Sequence, residues 1–255
     1  ATVHFPIWHA EIEDILVLKN NKGTEDNRVR RLDYSIQLSR LFYERFIQDR
    51  QITLFSPHDV PGLYDSFGRD EFDDLYQRAE MDETIPSRTI SARSLLLALV
   101  KERAETGRIY IMNIDHCNSH SSFQSPIYMS NLCQEITLPT TPLTHIDDEN
   151  GEISLCILSA VNIGKIKKLD DLENLCDLAV RGLDNLIDYQ NYPVKCAERA
   201  TKGRRSLGVG YIGLAHYLAK YGFSYEDPSA WETVHELTEA FQYNLLKASC
   251  NLAKE

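Results

Sequence analysis

The run Ile153-Ser-Leu-Cys-Ile-Leu-Ser-Ala-Val161 is apolar on both of its alternating faces. Such a strand needs cover on two sides, which a central strand of a parallel sheet receives from flanking helices and a half-solvated antiparallel strand does not. The chain therefore reads as α/β, and its other segments alternate accordingly. Residues 2–8 are β-branched and aromatic and predict a strand, followed by a helix over 9–18. After the turn-rich residues 20–27, the spacing of Leu32, Ile36, Leu38, Leu41, Phe42 and Phe46 predicts a helix over 32–46. A short strand over 51–55 stops at Ser56-Pro57, and helices are expected over 70–80 and 91–106. A strand over 107–113, a polar loop over 115–125 and an extended stretch over 130–138 follow. Beyond the double-faced run come a helix over 169–189, a strand within 204–209, and helices over 211–221 and 230–255.

No linker, repeat or low-complexity tract interrupts this pattern, so residues 1–255 read as a single domain or part of one. Both ends read as cut rather than finished, which makes the chain a fragment on this reading. Twenty-seven Lys and Arg stand against 38 Asp and Glu, a net charge of −11, which argues against phosphate-driven binding of nucleic acid. The longest apolar runs fall short of the roughly 20 residues of a membrane span, and no signal-peptide layout is present. The expectation is a soluble, cytoplasmic protein. Cysteines at 117, 133, 156, 176, 196 and 250 are scattered with no CxxC pair and read as thiols rather than a disulfide framework or a structural zinc site.

The stretch Ser130-Asn-Leu-Cys-Gln-Glu-Ile136 holds the densest chemistry. In an extended chain Asn131, Cys133 and Glu135 share one face, so a thiol would lie beside a proton acceptor and an amide that can fix a hydroxyl or carbonyl. A half-exposed strand with its polar side in water is the plainer alternative. Cys156, inside the double-faced run, reads as a small buried hydrophobe unless a second thiol faces it. His116, Cys117 and His120 are metal-ligand types, but no second close pair supports a site. Gly208, Gly210 and Gly213 match a dinucleotide-binding glycine pattern in a poor context, preceded by Lys202-Gly-Arg-Arg-Ser206 rather than an apolar strand. The acidic turn 147–151 does not fit a calcium loop.

Several separate motifs together resemble the large catalytic subunit of class I, aerobic ribonucleotide reductases of bacterial and phage type. They are Ser130-Asn-Leu-Cys-Gln-Glu135, Leu54-Phe-Ser-Pro-His-Asp-Val-Pro-Gly-Leu63, Thr106-Gly-Arg-Ile-Tyr-Ile111, Asp115-His-Cys-Asn118 and Asp148-Glu-Asn-Gly-Glu-Ile-Ser-Leu-Cys156, in the family's order. The resemblance implies part of a ten-stranded α/β barrel whose buried finger loop carries Cys133 as a thiyl radical. It implies that Glu135 accepts the substrate's 3′-hydroxyl proton, that Asn131 hydrogen-bonds the substrate beside Leu132, and that Cys156 is half of a reducing dithiol. It implies ribonucleoside diphosphate as substrate and no cofactor on this chain. The metal-radical cofactor would sit on a separate small subunit, and nucleoside triphosphate effectors would bind outside this segment. Further partners would be the missing N- and C-terminal parts, including a regulatory region, a second large subunit, and thioredoxin or glutaredoxin. The isolated chain is expected to be inactive. A non-catalytic subunit-binding module, or a dinucleotide-dependent oxidoreductase built on Gly208 to Gly213, are the alternative readings.

Overall fold

The computed structural model describes residues 1–255, the side chain of Asn27 excepted, and they group into two units, Ala1–Thr140 and Thr141–Glu255. In the first unit the chain runs through β1 (Thr2–Pro6), α1 (Ile12–Leu16), β2 (Asp33–Leu38), α2 (Arg40–Ile47) and β3 (Gln51–Phe55). It continues through α3 (Leu63–Ser66), α4 (Phe72–Met81), β4 (Ser87–Ser91), α5 (Ala92–Thr106), β5 (Ile109–Asn113) and α6 (Ile114–Ser119). β1, β2 and β5 form a parallel sheet in the order β1-β2-β5, with His4 opposite Ser35 and Ser35 opposite Tyr110. β3 and β4 make an antiparallel pair.

The helix expected over 32–46 divides into β2 and α2. Tyr34, Ile36 and Leu38 alternate with Ser35 and Gln37, the period of a strand. Ser39 then stays extended and caps α2, its Oγ accepting from the Phe42 N–H at 3.3 Å. β2 is buried on both faces. Tyr34, Ile36 and Leu38 join the apolar core with Trp8, Phe42, Phe55 and Tyr76, while Ser35 and Gln37 are buried on the opposite face. Each large apolar side chain buried in this core contributes about 1.5–3 kcal/mol. The loop expected from residue 115 instead begins as α6, and β4 is an element the sequence did not announce.

The second unit contains β6 (Ile157–Asn162), α7 (Asp171–Tyr189), α8 (Lys195–Arg204), β7 (Leu207–Ile212), α9 (Leu214–Lys220) and α10 (Pro228–Leu252). β6 and β7 pair in parallel, as the α/β reading requires, because a parallel pair needs a long crossover. Ile163, Leu172, Cys176, Leu237 and Phe241 form the apolar centre of this unit. The double-faced run differs from expectation: β6 starts only at Ile157, its residues alternate between half-buried and exposed, and Leu158 is 57% exposed. Seven strands lie in three separate sheets, so among the described residues the ten-stranded barrel does not close.

Candidate active site

The polar face of the first sheet holds the segment that carries Cys133. Asn118 on α6 begins the support: its Oδ1 accepts from the Ile127 N–H at 2.8 Å and its Nδ2 donates to the carbonyls of Ile127 and Ile114. Gln37 on β2 donates through Nε2 to the Tyr128 carbonyl at 2.5 Å, and the Tyr128 ring stacks on Tyr64 of α3. His4 on β1 meets the Ser130 main chain, with Nε2 3.2 Å from its carbonyl oxygen. Thr2 donates to the Leu132 carbonyl at 2.6 Å. The segment thus descends across the sheet from the carboxyl end of β2 to the amino end of β1, held by side chains that bond its backbone.

At the bottom the chain reverses. The Gln134 N–H donates to the Asn131 carbonyl at 3.3 Å, and the Asn131 N–H to the Ile136 carbonyl at 3.2 Å. Asn131 Oδ1 accepts from the Ile136 N–H at 3.0 Å and from Ser130 Oγ at 3.2 Å. Gln134 lies in the left-handed region at φ 64°, which costs a residue with a Cβ roughly 1–2 kcal/mol. The expectation of an extended stretch sharing one face is therefore corrected: Asn131, Cys133 and Glu135 sit on a tight turn. They remain neighbours because the turn is short. Cys133, Glu135 and Leu132 are exposed, Asn131 is half-buried, and Gln134 points back to Ser35, whose Oγ is 2.9 Å from its Nε2. The expected burial of Cys133 is also corrected, since the sheet supports the turn from one side only.

Cys156 belongs to the second unit, half-buried just before β6. A Cβ on Gly208 would approach its Sγ to 3.1 Å and Leu158 Cδ2 to 2.5 Å, so the missing side chain leaves the room Cys156 occupies. Gly208 and Gly210 lie within β7, opposite Leu158 and Ala160, and only Gly213, at φ 85°, stands at the strand–helix junction. Two of the three glycines are committed to the ladder, and the dinucleotide pattern is not a phosphate loop here. His116, Cys117 and His120 lie on or next to α6, and no group of three metal-ligand side chains is assembled among the described residues. A cleft of about 950 Å³ opens at the carboxyl ends of β2 and β5, lined among others by Arg40, Tyr43, Asp73, Asn113 and Asp115, and the turn does not line it.

A family model described as "Ribonucleotide reductase, barrel domain" matches residues 1–255. The chain belongs to this family. Among proteins to which it is similar are the ribonucleoside-diphosphate reductase subunit alpha of Haemophilus influenzae, 59% identical, and the ribonucleoside-diphosphate reductase 1 subunit alpha of Escherichia coli, 55% identical. The ribonucleoside-diphosphate reductase subunit alpha of enterobacteria phage T4 is 47% identical. Each match covers all of this chain and 34% of the relative, so the chain spans about a third of the length of these curated relatives.

Within this reductase barrel, sequence reasoning missed the supports: Thr2, His4, Ser35, Gln37 and Asn118. A signal for two of them was present, because Ser35 and Gln37 interrupt an otherwise apolar strand, and buried polar side chains need partners. Asn118 is a poor helix former inside α6, which marks it as serving something else.

Proposed function

We propose that the turn bearing Cys133 is the catalytic tip of a ribonucleoside-diphosphate reductase and that the chain is the barrel segment of its large subunit. The observation that carries this reading is that Cys133 and Glu135 are presented together on one braced turn of a reductase-family barrel. In this reading Cys133, as a thiyl radical, takes the 3′ hydrogen of a ribonucleoside diphosphate, forming S–H and a carbon radical. Glu135 accepts the 3′-hydroxyl proton and the 2′-hydroxyl leaves as water. Asn131, its Oδ1 already engaged within the turn, donates to the substrate through Nδ2, and Leu132 offers it an apolar contact. Cys156 and a second thiol supply two electrons and two protons, one proton leaving with the 2′-hydroxyl as water and the other reaching C2′, and become a disulfide; Glu135 returns its proton to the 3′-oxygen and Cys133 its hydrogen to C3′. One diphosphate and one dithiol become one deoxyribonucleoside diphosphate, one disulfide and one water.

The radical originates in a metal-radical cofactor on a separate small subunit. Nucleoside triphosphate effectors bind outside this segment, thioredoxin or glutaredoxin restores the dithiol, and the large subunit works as a cytoplasmic homodimer. The test is nucleotide reduction by the full-length large subunit with its small subunit. Cys133→Ser is expected to reduce turnover to background while substrate still binds. Undiminished turnover would overturn the assignment and favour a module that only binds its partner subunit.

A further inference from the structure

The supports from Thr2, His4, Gln37 and Asn118 all bond main-chain groups of the finger and so act whatever side chains the finger carries. Gln134 does the reverse. It stands between the two reactive positions in the left-handed conformation, and its side chain crosses to Ser35 on the central strand at 2.9 Å. Ser35 is fully buried and sits in register between His4 and Tyr110, so it is a fixed point. A tight turn with a non-glycine residue at positive φ persists where its surroundings over-determine it. Here the determinants are the N–H of Gln134 bonded to the Asn131 carbonyl and its amide bonded to Ser35. Cys133 and Glu135 lie exposed on either side of Gln134.

We propose that Gln134, anchored on Ser35, is a positioning residue that fixes the aim of Cys133 at the substrate's 3′ hydrogen. This rests on the function proposed above. Hydrogen transfer is steeply sensitive to donor–acceptor placement, and a misplacement of about 1 Å can cost on the order of a hundredfold. A turn released from Ser35 would let the thiol sample poorer geometries without losing the turn altogether.

The experiment uses the full-length large subunit with its small subunit, in Gln134→Ala, Ser35→Ala, the double variant, Gln134→Glu and Cys133→Ser forms. Loss of the anchor is expected to lower kcat about five- to tenfold, the scale of one hydrogen bond, with KM for the diphosphate unchanged. Gln134→Glu, which can accept from the Ser35 hydroxyl, is expected to restore most of the rate. The deciding readout is the isotope effect with 3′-deuterated substrate. It should rise in both single variants and rise no further in the double variant, whereas a smaller fraction of folded enzyme leaves it unchanged. An unchanged isotope effect, or losses that simply multiply in the double variant, overturns the positioning role. Should Gln134→Ala fail to fold, Ser35→Ala carries the same test, since it removes only the anchoring hydroxyl. Full activity in Cys133→Ser would instead remove the underlying reading, and the two failures are thereby told apart.

Discussion

His4 meets the finger with one nitrogen while the other, Nδ1, is buried without a partner. Protonation would place a second N–H donor at that unpartnered position, and burial holds the imidazole below its ordinary pKa despite the opposing bond to Ser130. Its folded value is depressed, so the stability it contributes is present above the unfolded value of about 6.5 and drains away as pH falls through the folded value. His9, lowered chiefly by burial as well, acts with the same sign. His4 and His9 are accordingly expected to lower the unfolding midpoint of the chain between pH 7.5 and 5.5. His4→Gln, which keeps a donor for the Ser130 carbonyl, should make that slope shallower. An unaltered slope in the variant would mean that His4 is not the group being titrated. Asp148 works in a lower window. Hydrogen bonds from Thr144 N–H and Oγ, and from the N–H groups of Asn150 and Gly151, hold its carboxyl well below the usual range. The acidic turn unsuited to calcium is thus organised around the Asp148 carboxylate.

Among the elements, α2, α4 and β3 are locked by one charge cluster. Arg45 bonds Glu80 through its two terminal guanidinium nitrogens, Nη1 and Nη2, at 2.5 Å each, and the Thr53 hydroxyl donates to the same carboxylate at 2.6 Å. The Arg45 side chain is 7% exposed. Removing Glu80 leaves that charge buried and unpaired, so Glu80→Ala should cost about 3–5 kcal/mol in denaturant unfolding of the first unit. A loss under 1 kcal/mol would show that water reaches Arg45. Element order was readable because helical and strand periods differ, as α4, α5, α7 and α10 illustrate. β2 was not readable as a strand: Leu32, Ile36 and Leu38 fit a helical face equally well when joined to Leu41, Phe42 and Phe46, and only the cap at Ser39 divides them. The finger was misread for another reason. Its turn is held by bonds to residues some hundred positions away, Thr2, His4 and Ser35, and no local period encodes them. Spacing alone already grouped Asn131, Cys133 and Glu135 but favoured a plain half-exposed strand, and their chemical roles came only from motif resemblance.

The whole chain offers three separate sheets and a thiol open to solvent on one side. No helix among the described residues is long and apolar enough to cross a membrane. Radical chemistry at sulfur needs a site closed to water and quenchers, so the 255-residue chain alone is expected to show no diphosphate reduction above background. Turnover by the purified chain on its own would contradict this. The supports under the finger carry a further consequence. Because Thr2, His4, Gln37 and Asn118 grip peptide groups, the cradle is blind to what hangs from most of the loop, like a tool holder that accepts different bits. Chemistry at position 133 can therefore be exchanged, a selenol for the thiol for instance, with the new group delivered to the same place.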